Sequence, residues 1–107
     1  MQIAIDFDGT FTEDPMAWAA VINIMQRAGH SVVCITSRRD TPAARRDMSL
    51  VLPHSVPVYF AYGMTKQACA EMHGLTVTVW VDDCPASICG VILPSDMDTD
   101  AQVGQAE

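Results

Sequence analysis

The stretch Ile3-Ala4-Ile5-Asp6-Phe7-Asp8-Gly9-Thr10 decides how this chain is read. An apolar run ends in two carboxylates one residue apart. In an extended chain Asp6 and Asp8 project to the same side, because alternate residues share a face. Gly9 then frees the backbone to turn sharply. Two acids crowded at the tip of a buried strand repel each other and lose hydration, at a cost of several kcal/mol unless something compensates. A divalent cation is one compensation. The plainer reading of an isolated Asp-x-Asp-Gly is a strand that ends in a polar turn, so the rest of the chain has to decide.

Working outward, the pattern alternates between strand and helix. Gln2 to Phe7 reads as a buried strand, followed by a polar turn over residues 9–14. Asp14-Pro15 is a helix start, with Asp as cap and Pro at the first helical position. Trp18, Val21, Ile22 and Met25 follow on one helical face, and Gly29 ends it. Val32 to Thr36 is a second apolar strand. Thr41-Pro42 opens a second helix with an apolar face of Ala44, Met48, Val51 and Leu52, closed by Pro53. Val56 to Phe60 is a third strand, placed at a sheet edge by Pro57. Residues 64–73 form a third helix with Thr65 as a cap and Gly74 as its stop. Thr76 to Val81 is a fourth strand, Pro85 to Cys89 a helical turn, and Val91-Ile92-Leu93 a short fifth strand.

Strand–helix–strand repetition means an α/β domain with a parallel sheet and helices on both faces, here over residues 1–93. Strands buried on both sides read as near-continuous apolar runs, and these do. Residues 94–107 are polar and acidic without an apolar period, the signature of a disordered tail. At 107 residues and 50% hydrophobic, the chain builds one core without staples.

No segment is long and apolar enough to span a bilayer, and no basic-then-apolar leader opens the chain, so a cytoplasmic protein without membrane partners is expected. Cys34, Cys69, Cys84 and Cys89 lack zinc-site spacing and read as free thiols of a reducing compartment. The formal charge is −7. Thirteen acids, less the four at Asp96, Asp98, Asp100 and Glu107, set against six bases leave −3 for the body. Four of those bases, Arg38, Arg39, Arg45 and Arg46, sit close together, so the body is polarised.

A parallel sheet gathers its strand ends along one edge, where ligands bind in such folds. That edge collects Asp6, Asp8 and Thr10 from the first strand, Thr36, Ser37 and Arg38 from the second, and Asp82 and Asp83 from the fourth. Lys66 opens the helix before the fourth strand.

In order and spacing, Asp6-Phe7-Asp8-Gly9-Thr10, the apolar strand closing on Thr36, Lys66 and Trp80-Val81-Asp82-Asp83 resemble the four motifs of the haloacid dehalogenase superfamily of phosphohydrolases. The resemblance covers residues 2 to about 93 and implies a three-layer Rossmann-like fold of five short strands. It implies Asp6 as nucleophile, forming an aspartyl-phosphate. Asp8 protonates the leaving oxygen and then activates water. Thr36 and Lys66 hold the transferred phosphoryl group. Thr10, Ser37 and Arg38 contact substrate. Asp6, the Asp8 carbonyl and Asp83 hold Mg2+, with Asp82 orienting them. A receiver domain also gathers acids, a Thr and a Lys on a parallel sheet, but here the pair Asp82-Asp83 follows Lys66, which fits the phosphohydrolases instead.

Superfamily members often carry a cap domain. Neither the step from Gly9 to Pro15 nor that from Phe60 to Met64 has room for one, so the site is expected to be open, shielded by a short flap over residues 11–14. Open sites of this kind act on macromolecular ends or borrow a neighbouring subunit as lid, which admits a homo-oligomer. Ser37-Arg38 resembles a stretch of the phosphatase module of polynucleotide kinase–phosphatases, and the Asp82-Asp83 pair also occurs in deoxyribonucleotidases. A nucleotide or a nucleic-acid 3'-phosphate end is therefore the expected substrate class, with Arg38 and its neighbours gripping a second phosphate. Surface pairing of these arginines with Asp40 and Asp47 is the plainer alternative. A small-metabolite or sugar phosphatase, and a regulatory module that binds metal or phosphate without turnover, are the competing functions.

Overall fold

The structure is a computed structural model and describes residues 1–90. Its elements alternate as the sequence pattern requires: β1 (Gln2–Ile5), α1 (Pro15–Arg27), β2 (Ser31–Thr36), α2 (Pro42–Ser49), β3 (Val58–Phe60), α3 (Lys66–Met72), β4 (Val79–Val81) and α4 (Ala86–Cys89). A single 3-10 turn, Phe11–Glu13, lies between β1 and α1. The fifth strand expected at Val91–Leu93 and the tail over 94–107 fall outside the described residues.

Helix starts follow local chemistry. The side chain of Asp14 accepts the Ala17 N–H at 3.1 Å, that of Thr41 the Ala44 N–H at 3.0 Å, and that of Thr65 the Ala68 N–H at 3.1 Å. Each satisfies one of the donors that a helix N-terminus leaves unpaired. Pro15 and Pro42 occupy first helical positions, where a missing N–H is no loss.

The four strands are all parallel, in the order β3-β2-β1-β4. β3 is an edge, as Pro57 suggested. Pro57 has no N–H to give, so the strand begins after it, although its carbonyl accepts the Cys34 N–H at 2.8 Å. β4 is likewise shorter than expected, with Thr78 tied to Gln2 just before it.

The strand alternation splits the core in two. Ile3, Ile5, Val32 and Cys34 pack with Ile22 of α1 and Met48 of α2, joined by the partly buried Trp18, Met25, Phe60 and Val81. Ala4, Val33 and Ile35 pack with Cys69 and Ala70 of α3, joined by Tyr59 and Trp80. The chain moves from β1 outward to β2 and β3, then returns across the sheet to β4 on the other side of β1. The carboxyl ends of β1 and β4 therefore flank the topological switch point, where open α/β sheets bind ligands.

Residues 11–14 differ from the expected flap. Phe11 is fully buried and stacks on Phe7, with ring centroids 6.0 Å apart. The N–H of Phe11 reaches the Asp6 carbonyl and that of Thr12 the Phe7 carbonyl. The segment is a tight turn pinned into the core by its aromatic ring.

Candidate functional site

Asp6 directly follows β1, and its N–H donates to the Val81 carbonyl at 2.9 Å, which locks the tips of β1 and β4 together. This brings Asp6 beside Asp82 and Asp83. Lys66, at the first position of α3, reaches in from the other core cluster's helix. Its Nζ donates to Asp6 Oδ1 at 2.7 Å and to Asp82 Oδ2 at 2.6 Å. The Lys66 side chain is only 2% exposed, so this is a buried acid–base–acid triad. Buried charge is tolerated only when paired and hydrogen-bonded, and here every partner is supplied. Among the described residues no buried side-chain nitrogen or oxygen lacks a partner.

The remaining oxygens are also placed. Asp82 Oδ1 accepts the Cys84 N–H at 2.9 Å. The Thr10 hydroxyl lies 3.2 Å from Asp6 Oδ2 and 3.3 Å from Asp83 Oδ1, so its one proton serves either acid. One carboxylate oxygen from each of Asp6, Asp82 and Asp83 falls within 4.8 Å of the others, close enough to hold a cation together. Asp82 is fully engaged by Lys66 and Cys84. Asp6 is as fully engaged, by Lys66 and Thr10, which leaves the exposed Asp83 as the freest of the three, and Lys66 is held between Asp6 and Asp82.

Burial pushes the Asp6 carboxyl up to about 6; Lys66 pulls against this, while Asp83 and Asp82 add to it. Pairing with the Asp6 carboxyl holds Asp83 below the usual carboxylate range, helped by Thr10. The two acids thus divide a proton unequally, Asp6 being the one that keeps it. Burial opposes the charge on Lys66, but its two carboxylates prevail and its ammonium lies above the ordinary lysine range.

Asp8 stands apart from the triad. It is exposed, and Arg38 holds it through two parallel bonds, Nε to Oδ2 at 2.7 Å and Nη2 to Oδ1 at 2.8 Å. The Arg38 guanidinium also lies over the Phe7 ring, 5.2 Å from its centroid, and approaches Asp47 at 3.8 Å. Thr36 is buried, and its Oγ1 accepts the Arg38 N–H at 3.2 Å, which spends an acceptor and leaves the hydroxyl proton to give. Ser37 is exposed at the same edge. Arg45 follows the plainer alternative: it pairs bidentately with Asp40 at 2.6 and 2.8 Å.

Cys34 is wholly buried, and burial pushes its thiol up to about 12, so it is no nucleophile. All four cysteines are free. Of the acid cluster, Asp6 and the Asp82 side chain are buried and Asp83 is exposed. Concavities flank the sheet away from the acid cluster, one beside α2 and β3 lined by Met48, Leu52 and Phe60, another beside β4 lined by Trp18, Met25 and Val81.

Three features of the site were not read from sequence. The Asp8–Arg38 clamp depends on which loop tips become neighbours. The Thr10 bridge between Asp6 and Asp83 depends on the turn geometry. The Arg39 guanidinium sits over the Tyr62 ring, 5.4 Å from its centroid, although nothing in the local pattern singles out Tyr62. No protein-family model, no curated protein and no solved structure matches this chain.

Proposed function

We propose that this chain is a Mg2+-dependent phosphomonoesterase of the cap-less haloacid dehalogenase kind, with a three-layer Rossmann-like fold, working through an aspartyl-phosphate. The observation that carries this reading is the buried Asp6–Lys66–Asp82 triad at the β1–β4 switch point, with Thr10 and Asp83 beside it. A buried lysine that binds two carboxylates fixes one oxygen of Asp6 and leaves the other toward Thr10. That is the arrangement a carboxylate nucleophile needs, with its geometry set before substrate arrives.

The donor set fits a hard cation, since every atom it offers is oxygen. Asp6, Asp83 and the main-chain carbonyl of Asp8 would hold it. When bound, Mg2+ would offset the crowding of the acids and draw charge from the phosphoryl oxygens.

In the reaction, an Asp6 oxygen attacks phosphorus and the ester oxygen departs with a proton from Asp8. Water then attacks the aspartyl-phosphate, giving its proton back to Asp8 and releasing phosphate and free Asp6. Lys66 and the Thr36 hydroxyl would meet the charge that grows on the phosphoryl oxygens. Asp8 has to leave Arg38 to take part, and a substrate anion that engages the guanidinium is the natural exchange partner. Nucleotides and nucleic-acid 3'-phosphate ends supply such an anion. The closed Asp8–Arg38 clamp is also the observation that favours a second reading, a module that binds metal or phosphate without turnover.

Hydrolysis of p-nitrophenyl phosphate with Mg2+ separates the two. We expect turnover that EDTA removes and that folded Asp6→Asn lacks. Turnover that persists in Asp6→Asn, or no turnover of any phosphate monoester, overturns the proposal. A preference for sugar phosphates over nucleotides would favour a small-metabolite phosphatase within the same chemistry.

A further inference from the structure

We propose that Tyr62 and Arg39 form a stacking subsite for a nucleobase, so that the substrate is a nucleoside phosphate. This rests on the phosphatase reading for the reaction but on separate residues for the binding.

The two residues come from adjacent loops at the carboxyl edge. The Ala61 N–H donates to the Thr36 carbonyl at 2.7 Å, which ties the chain leaving β3 to the chain leaving β2. Tyr62 follows Ala61, and Arg39 follows Thr36 by three positions. They meet as a cation–π pair at 5.4 Å. Arg38 and Asp8, next along the same edge, lead on to the acid cluster. From β1 to β3 is two strand spacings, roughly 10 Å laterally, a span suited to a molecule with phosphate at one end and a flat ring at the other.

The chemistry of the rim is selective. Tyr62 is 59% exposed and Met64, two residues on, is 40% exposed, so this edge presents an aromatic face and a polarisable thioether to solvent. The protein's other tyrosine, Tyr59, is packed against the core and meets the His73 ring at a tilt of 55°. Among the described residues Arg39 has no carboxylate partner, whereas Arg38 pairs with Asp8 and Asp47 and Arg45 with Asp40. A guanidinium over a tyrosine ring, without a carboxylate partner among the described residues, offers a cation and an aromatic plane together. A nucleobase uses both, by stacking on the ring and against the guanidinium plane. Ribose 5-phosphate carries no flat π-face to stack on either group.

Adenosine 5'-monophosphate and ribose 5-phosphate differ by the base alone and make the test. The ratio of their kcat/KM values should fall about tenfold in Tyr62→Ala, the scale of one base–aromatic stack. Tyr62→Phe should keep the ratio, and Arg39→Gln should lower it less than Tyr62→Ala. An unchanged ratio in Tyr62→Ala, or equal losses on both substrates, overturns the subsite while leaving the phosphatase reading intact. Equilibrium binding to Asp6→Asn by calorimetry reads the subsite without turnover. Tighter binding of the nucleotide than of ribose 5-phosphate, lost in Tyr62→Ala, supports it even if no phosphate ester is hydrolysed. Equal binding of the two overturns it. Adenosine 3'-monophosphate and a 3'-phosphorylated oligonucleotide tell the sources apart. A Tyr62-dependent gain equal on the free nucleotides and the oligonucleotide identifies a mononucleotide ligand, and one larger on the oligonucleotide identifies a chain end.

Discussion

Gly9 and the Asp83 carboxylate approach so closely that a Cβ at Gly9 would stand 2.4 Å from Asp83 Oδ2. Gly9 also has φ +83°, a conformation that other residues adopt at a cost of roughly 1–2 kcal/mol. The glycine of Asp-x-Asp-Gly is thus needed twice, for the turn and for the acid that the turn brings near. Asp83 is exposed and has room to move, so the acid gives way before the backbone does. Gly9→Ala should therefore lose about 1–2 kcal/mol of stability but most of its Mg2+-dependent gain in Tm. Thermal melts with and without Mg2+ check this. A full Mg2+ response in Gly9→Ala would mean that Asp83 is not where a cation binds.

Lys66 neutralises two acids at once. Replacing it with Met leaves Asp6 and Asp82 facing each other in a buried place, and breaking a buried ion pair costs about 3–5 kcal/mol. That is a large share of the roughly 5–15 kcal/mol by which a domain is stable. The double variant Lys66→Met, Asp82→Asn removes one of the stranded charges and should recover part of the loss. Urea unfolding measures both. Equal stability of the single and double variants would show that Asp82 is not stranded by the loss of Lys66.

Much of this arrangement was legible in the sequence, because it depends on strand ends. Asp14-Pro15 and Thr41-Pro42 announce helix starts through local chemistry. The apolar runs announce buried strands, and parallel strands put their polar ends together whatever the loops do. Asp6, Lys66, Asp82 and Asp83 are brought together on those grounds alone. The loops were less legible. Phe11 is a lone aromatic in a polar run, with no period to show that it turns inward. The partner of Asp8 depends on the β1–β2 adjacency and on a long, flexible arginine, neither of which leaves a mark in local spacing. Tyr62 lies beyond β3, where alternation has stopped.

Asp6 makes metal-free stability depend on pH. Its folded carboxyl, at about 6, lies above the ordinary 3.8, so the folded protein binds this proton more tightly than the unfolded chain. Stability from this group is therefore greatest below about pH 4 and falls as pH rises to 6, by up to about 3 kcal/mol. Asp83 works in the opposite sense, since its depressed carboxyl favours the fold at higher pH, and this blunts the fall. Lys66, raised above the ordinary lysine range, contributes nothing to this window and loses its contribution only at alkaline pH. Asp6→Asn removes the titration. Without metal, Asp6→Asn should gain on the parent protein as pH rises from 4 to 7. Mg2+ should then stabilise the parent at pH 7 more than Asp6→Asn. A stability difference that stays flat with pH would mean that Asp6 is ionised throughout.

The role assigned to Asp8 has a signature that depends on the leaving group. A sugar alkoxide cannot depart without a proton, whereas p-nitrophenolate is a stable anion and can. The value of kcat/KM reports steps through formation of the aspartyl-phosphate, which is where the leaving oxygen needs its proton. Asp8→Asn should therefore lower kcat/KM on an alkyl phosphate by about 10²–10⁴, the usual worth of general acid catalysis. On p-nitrophenyl phosphate it should lower kcat/KM much less. Hydrolysis of the aspartyl-phosphate still needs Asp8 to activate water, so kcat on that ester should fall. Rapid mixing should then show a burst of nitrophenolate in proportion to enzyme. Asp8 is exposed and its one strong tie is the Arg38 clamp, so the fold should survive the change with a loss on the order of 1 kcal/mol or less. Equal losses of kcat/KM on both esters, with no burst, would mean that Asp8 acts by holding Arg38 in place and not by moving a proton.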